Sequence, residues 1–236
     1  MVAIFVVATI IVFLIIDYFV QRAEKHKVVQ TSSATVKARF IIPKGYFFGR
    51  GHTWIEILSN SLARIGLDDF SQKIIGRIDE VAFIPTGKEV MKGDRLFAVQ
   101  QGSNALWFRA PISGKVVSFN DELTHSPDVV RKKPYSDGWV AIIEPANLEK
   151  ETKLLSMGEE AAQWLKEEIK RFRNFITAQG TTNASSGLPA LAATAAARTG
   201  ATLLDGGIPV EGVMEHSSKE TWQKFENDFL TNGDAK

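Results

Sequence analysis

The chain has no cysteine among its 236 residues. Disulfides, thiol nucleophiles and zinc–thiolate sites are therefore excluded, and the composition is compatible with a reducing compartment. Histidine is scarce. The four, His26, His52, His125 and His216, are scattered without metal-ligand spacing. No charge of one sign dominates: 28 Lys and Arg stand against 27 Asp and Glu, a formal net charge of +1. That leaves no bulk electrostatic case for nucleic acid. Neither G-x-G-x-x-G nor a Walker A pattern occurs, so the usual glycine-rich phosphate cradles are missing. His52 has no nucleophile or metal set beside it and reads as a structural histidine. Asp68, Asp69, Glu80, Asp121 and Glu122 are acidic residues of the kind found at caps and turns, not a catalytic carboxylate pair. No enzymatic activity, resident cofactor or metal is expected.

Long apolar runs are also few. The only one is Val2 to Val20, VAIFVVATIIVFLIIDYFV. As a helix it would span about 28 Å, close to the ~30 Å of a bilayer core. A signal peptide would need a cationic start and a small-x-small cleavage site, and both are lacking. A buried core helix is the third reading, but runs this apolar are rare in small soluble domains. Arg22, Lys25 and Lys27 follow, opposed only by Glu24. By the positive-inside rule this predicts a single-pass protein of a bacterial-type inner membrane, with most of the chain cytoplasmic.

What is present is an ordinary globular composition, 44% hydrophobic and 23% charged. Residues 1–27 read as anchor and basic flank, 28–38 as a tether, and 39–178 as the folded domain. Residues 179–205, rich in Ala, Gly, Ser and Thr, read as a linker. Residues 206–236 form a tail. Phe40 to Phe48, with Pro43 and Gly45, is a plausible first strand and turn. A short helix is expected over Gly66–Ile75, with Asp68 or Asp69 at its start and Phe70, Ile74 and Ile75 on one face. Ala161, Trp164, Leu165, Ile169, Phe172 and Ile176 keep helical spacing, predicting an amphipathic helix from Met157 to Ile176. It should pack on the domain and leave some surface for a partner. In the tail, Ser217-x-x-Glu220 resembles a capping box, and Trp222, Phe225 and Phe229 share a helical face. That stripe can dock on its own domain or in a partner's groove.

Between Phe83 and Trp139, short β-rich runs alternate with Gly, Asn and Pro, predicting a small sandwich or barrel. The last strand opens at Trp139, which is expected to lie in the core. The centre reads as a hairpin: Leu96 to Val99, a Gly102-Ser103-Asn104 tip, then Ala105 to Phe108. Trp107-Phe108-Arg109 is a candidate recognition strand.

Six blocks then fall in a familiar order. They are GHTW (Gly51–Trp54), GLDDFSQKIIG (Gly66–Gly76), GKEVMKGD (Gly87–Asp94), APISGKVVSFNDEL (Ala110–Leu123), SPDVV (Ser126–Val130) and PYSDGW (Pro134–Trp139). From about Gly49 to Leu155 the chain resembles the H protein of the glycine cleavage system, a relative of lipoyl domains. The resemblance implies a mainly β, lipoyl-like barrel-sandwich hybrid with short helices. The predicted N-terminal transmembrane helix and C-terminal helical extension are additions to it.

The resemblance also implies a hairpin tip of the form Glu-Ser-x-Lys, whose lysine carries lipoate through an amide. Counting back from Pro111, that lysine position is Ser103, preceded by Gln100, Gln101 and Gly102. A serine hydroxyl cannot form the amide. No lysine lies between Arg95 and Gly114, so a register slip does not supply one. The expected function is therefore a membrane-anchored, non-lipoylated H-protein-like subunit that helps assemble a membrane-associated redox complex. Gln100, Gln101, Ser103, Asn104 and Trp107 are its candidate partner-binding residues. One alternative is a true lipoyl-type carrier, of the glycine cleavage system or a related pathway, modified elsewhere; Lys88, Lys92 and Lys115 lie outside the hairpin. A further alternative is the membrane-fusion adaptor of an efflux system, although the coiled-coil heptads such adaptors place within this domain are missing.

Overall fold

In the computed structural model, residues 34–36, 40–184 and 211–231 are described, all within one compact unit. The anchor predicted over Val2–Val20 and most of the linker lie outside them. Among the described residues no helix is long and apolar enough to cross a membrane.

The first elements are short strands: β1 (Ala34–Val36), β2 (Phe40–Ile42), β3 (Phe47–Phe48), β4 (Thr53–Ile57) and β5 (Ala63–Leu67). Strand β1 falls in the stretch read as a tether and pairs antiparallel with β2. Helix α1 (Asp69–Ile75) follows. Asp68 sits just ahead of it in extended backbone, and its side chain accepts the Ser71 amide. This is the favoured way to satisfy a first-turn N–H group. Gly66 and Leu67, expected in this helix, belong instead to β5.

The chain continues through β6 (Glu80–Phe83), β7 (Glu89–Val90), β8 (Arg95–Gln101), β9 (Asn104–Arg109) and β10 (Gly114–Phe119). Two one-turn helices, α2 (Glu122–His125) and α3 (Val129–Lys132), lead to β11 (Trp139–Pro145). Then come α4 (Leu148–Thr152), β12 (Ser156–Met157) and the long α5 (Gly158–Ala184).

Every strand pairing is antiparallel. One sheet has seven strands in the order β12-β3-β4-β5-β11-β10-β7, and a second has three, β6-β8-β9. The architecture is mainly β, as expected, but hydrogen bonding among the described strands does not close a barrel. The β4–β5 ladder shows why the sequence accepts a glycine in a strand. Trp54 faces Gly66 in register. The indole lies so close over Gly66 that a Cβ there would meet the ring. Trp54 is completely buried as a result. Trp139, expected in the core, is only half-buried, with the Arg64 guanidinium 5.9 Å from its ring centroid.

Helix α5 carries the predicted stripe and extends past it. Ala161, Leu165 and Phe172 are buried. The surface it might have offered a partner is taken by the tail. Helix α6 (Lys219–Phe225) and a π-helical segment (Glu226–Thr231) fold back on the domain. The cap is Ser218, one residue later than the sequence pattern suggested; its hydroxyl accepts the Thr221 amide. Phe172 meets Phe225 and Phe229 edge-on at 5.8 and 5.7 Å between centroids. On its other side it meets Phe70 of α1 at 5.7 Å. Burial of Met214, Trp222, Phe225, Phe229 and Leu230 drives this docking, each such side chain being worth roughly 1.5–3 kcal/mol before ordering costs.

Candidate functional site: the β8–β9 hairpin tip

Gln101 pairs with Asn104, leaving Gly102 and Ser103 as a two-residue turn. Gly102 has φ +57°, while Ser103 is not among the residues with positive φ. That sign pattern belongs to a type II′ turn, whose first central position favours glycine. The hairpin is fixed on the core by Phe97 and Phe108, stacked at 5.2 Å with an interplanar angle of 7°. Both are fully buried.

The tip is fastened to the segment after α1. The Gln101 side-chain amide donates to the carbonyls of Arg77 (2.6 Å) and Ile75 (3.3 Å). The Gly102 amide donates to Asp79 Oδ2 at 2.8 Å, and the Asp79 amide to the Gln100 carbonyl at 2.8 Å. Arg77 in turn pairs with the Asp79 carboxylate at 2.8 Å. This apex has little freedom to move on its own.

The five residues singled out from sequence fare differently. Ser103 is exposed at the apex, Asn104 beside it is half-buried, and Gln100 is half-buried on the strand. Gln101 is buried, and its amide N–H groups are spent internally. It holds the tip rather than facing a partner. Trp107 is half-buried, with Arg95 placed 5.1 Å from its ring centroid. Its strand neighbours are not free either. Phe108 is core, and Arg109 donates to the Gly93 carbonyl and to Thr231 Oγ1.

The outward face of the apex thus offers a glycine, a serine hydroxyl and an amide side chain. Residues 102–104 themselves carry hydrogen-bond donors and acceptors but no amine, no thiol and no charge. The apex can be recognised by a partner. It cannot form an amide with a carboxylic acid. Lys88 and Lys115 are exposed and Lys92 is half-buried. Lys88 and Lys92 flank β7, and Lys115 lies opposite Glu89 across the β10–β7 pairing.

His52 is a clamp. It is fully buried in a turn with φ +60°. Nδ1 lies 2.7 Å from Asp68 Oδ2 and Nε2 3.2 Å from Glu168 Oε1. The ring stacks on Phe70 and leans on Trp164, at 4.6 and 5.2 Å. Burial alone pulls the imidazolium's pKa down. The carboxylates of Asp68 and Glu168 outweigh that and push it up to about 9. A group so enclosed binds no substrate.

Asp69 is likewise structural, whereas Glu80, Asp121 and Glu122 are exposed on the surface. Asp69 accepts the Ile41 amide, the Gln72 side chain and the Lys73 ammonium. Tyr135, whose hydroxyl accepts the Asp69 amide and donates to the Ile41 carbonyl, ties the same corner. Burial holds its phenol well above the usual range. Among the described residues, no group of three His, Asp or Glu side chains is arranged to hold a metal ion.

Comparison with known proteins places this geometry. The family model "Glycine cleavage H-protein" matches residues 46–168. A probable glycine cleavage system H protein of Pyrococcus horikoshii is 36% identical over 125 residues, 53% of this chain and 92% of that one. Glycine cleavage system H protein 2 of Aquifex aeolicus is 36% identical over 132 residues, 56% of this chain and 82% of that one. The crystal structure of a glycine cleavage system H protein from Mycobacterium marinum aligns with 48% of this chain and 97% of its own. Its TM-score is 0.42 at 21% identity.

Proposed function

Because the chain belongs to the glycine cleavage H-protein family, we propose that it works as that family's members do: a non-catalytic carrier on which the enzymes of one system dock in turn. The observation that carries this reading is the family match over residues 46–168, with the β8–β9 hairpin folded and its apex exposed inside it. That match favours a carrier over an assembly subunit of a membrane complex.

The apex limits where a carried group can sit. Ser103 holds the position of the family's lipoyl-lysine, and its hydroxyl does not fit an amide-linked group. A carried group would have to use another amine, such as the exposed Lys88 or Lys115 beside and on the β7–β10 pairing. A second reading follows from the same residue. With the amine gone, the tip serves as a fixed docking knob, presenting Ser103 and Asn104 to a partner that needs no swinging arm. In either form the Val2–Val20 run would tether the domain to the cytoplasmic face of a membrane.

Intact mass and peptide mapping of protein purified from its native membranes test the proposal. A lipoyl-sized adduct on a lysine supports the carrier. An unmodified mass, from cells whose other lipoyl proteins are modified, overturns it and leaves the docking subunit.

A further inference from the structure

Helix α6, the turn before it and the π-helical segment lie beyond residues 46–168, the span of the family match. The Pyrococcus horikoshii relative has 92% of its length within 125 aligned residues. The tail is therefore an addition to the shared fold, and what it touches matters. It lies along β9.

At one end the tail grips the segment that fastens the tip. The Gly212 amide donates to the Lys73 carbonyl at 2.7 Å, and the Met214 amide to the Ile74 carbonyl at 3.1 Å. Glu215 Oε1 accepts the Arg77 amide at 2.8 Å. Nearby carbonyls of the same segment, Ile75 and Arg77, receive the Gln101 side chain from the hairpin. Gly76, between them, has φ +77°. The tail packs so closely on it that a Cβ would run into the Glu215 carboxylate and the backbone of Gly212. At its other end the tail holds the base of the same hairpin, where Thr231 Oγ1 accepts from the Arg109 guanidinium at 3.1–3.3 Å. Between the two grips, Arg171 of α5 donates to the Asp228 carbonyl at 2.9 Å and covers the Phe229 ring at 4.3 Å.

We propose that the C-terminal tail is a clamp that positions the hairpin tip, acting through residues 73–79. Glu215 and Gly212 are positioning residues for an apex they do not touch. This rests on the apex being the docking surface, as proposed above, but the clamp itself can be tested without any partner. Segment 73–79 is hydrogen-bonded both to the tail and to the hairpin. Release of one side leaves its carbonyls free to turn, and the Gln101 and Gly102 contacts then lose their fixed frame. The added tail thereby sets how rigidly the tip is offered.

Amide hydrogen exchange on the detergent-solubilised full chain tests this. Phe229→Asp places a charge in the aromatic cluster and should free the tail. The expected result is faster exchange at Trp222, and with it roughly ten-fold or more at Gly102 and Asp79, while the β4–β5 ladder at Ile55 and Ile65 stays protected. Fast Trp222 with unchanged Gly102 overturns the clamp. Should Phe229→Asp unfold the ladder as well, Glu215→Ala decides, because it removes only an exposed acceptor. Arg77 and Gly102 amides accelerating together support the clamp; Arg77 accelerating alone overturns it. The mass measurement above addresses the carrier reading separately, so failure of either is recognised as its own.

Discussion

His52 and Glu168 meet at 3.2 Å across 116 residues of sequence. The first belongs to the turn before β4 and the second to the middle of α5. With Asp68 on the other ring nitrogen, the imidazolium joins sheet, α1 and α5 at one buried point. A charge held by two carboxylates inside the protein makes folding depend on pH. The folded pKa of about 9 exceeds the ordinary 6.5. The stabilisation is therefore complete below about pH 6.5 and declines as pH rises towards 9. A shift of that size corresponds to something on the order of 3 kcal/mol. Denaturant midpoints should fall between pH 6 and pH 9.5. The fall should be much smaller in His52→Gln, which is also less stable at pH 6. A parent protein with a flat profile would mean that His52 is neutral in the fold.

The Trp54–Gly66 pair gives a second test. A Cβ at residue 66 has no room under the indole, and Trp54 is locked by the strands on either side. Gly66→Ala should cost about 1–3 kcal/mol or more as overpacking. It should also shift the Trp54 near-ultraviolet dichroism. Gly87→Ala, in an open turn with φ +78° and nothing within 4 Å of a Cβ, should cost less and leave that signal unchanged. Equal losses at the two sites would remove the steric argument.

Much of this fold was legible in the sequence. Glycine and asparagine punctuation placed the hairpin, and the Trp164–Phe172 spacing placed α5. Local signals of turn chemistry and periodicity carry that kind of information. Long-range pairings do not. Nothing at His52 announces Glu168, and nothing at Gln101 distinguishes a side chain turned inward to two carbonyls from one offered to solvent. The tail's apolar face was visible in Trp222, Phe225 and Phe229. Its choice of partner was not, because an amphipathic stripe fits any complementary groove. Trp139 opens β11 and is only half-buried, a depth its aromatic bulk does not reveal, since Trp is large and rarely fully covered. Of the candidate site, the exposed turn at Gly102-Ser103 was readable; the fastening of that turn to residues 75–79 was not.

Phe172 lies where α1, α5 and the tail converge, with four rings within 6 Å: Phe70, Phe175, Phe225 and Phe229. Phe172→Ala should cost about 3–5 kcal/mol by transfer and cavity terms. Trp139→Ala, at a half-buried site, should cost about 1–2 kcal/mol, well under a full core truncation. Chemical denaturation of the two variants should give that order. The reverse order would show that the tail contributes little to the packing around α5.

The membrane proposal has its own test. A reporter fused after Lys236 should be active only in its cytoplasmic form, given the Val2–Val20 run and the Arg22, Lys25 and Lys27 flank. Activity of a periplasmic reporter would reverse the orientation. Recovery of the full chain in the soluble fraction, without detergent, would remove the anchor.

The last prediction returns an amine to the apex. If a missing nucleophile is the only obstacle to modification, Ser103→Lys should become a lipoyl acceptor. The backbone there is ready for it: Ser103 is exposed, Gly102 supplies the positive φ, and Gln101 and Asp79 hold the turn from behind. A lysine at residue 103 adds a flexible chain outside the packed core, so stability should change by no more than ~0.5 kcal/mol. Co-expression with a lipoate ligase, followed by intact mass, should show one lipoyl adduct on Ser103→Lys and none at residue 103 in the parent. Ser103→Arg controls for charge and should stay unmodified. A folded Ser103→Lys protein that gains no adduct would show that the neighbours matter as much as the nucleophile. On the proposed alignment of Gln100 and Gln101 with the family's glutamate and serine, those two changes would then have turned the hairpin from a ligase substrate into a surface that only proteins dock on.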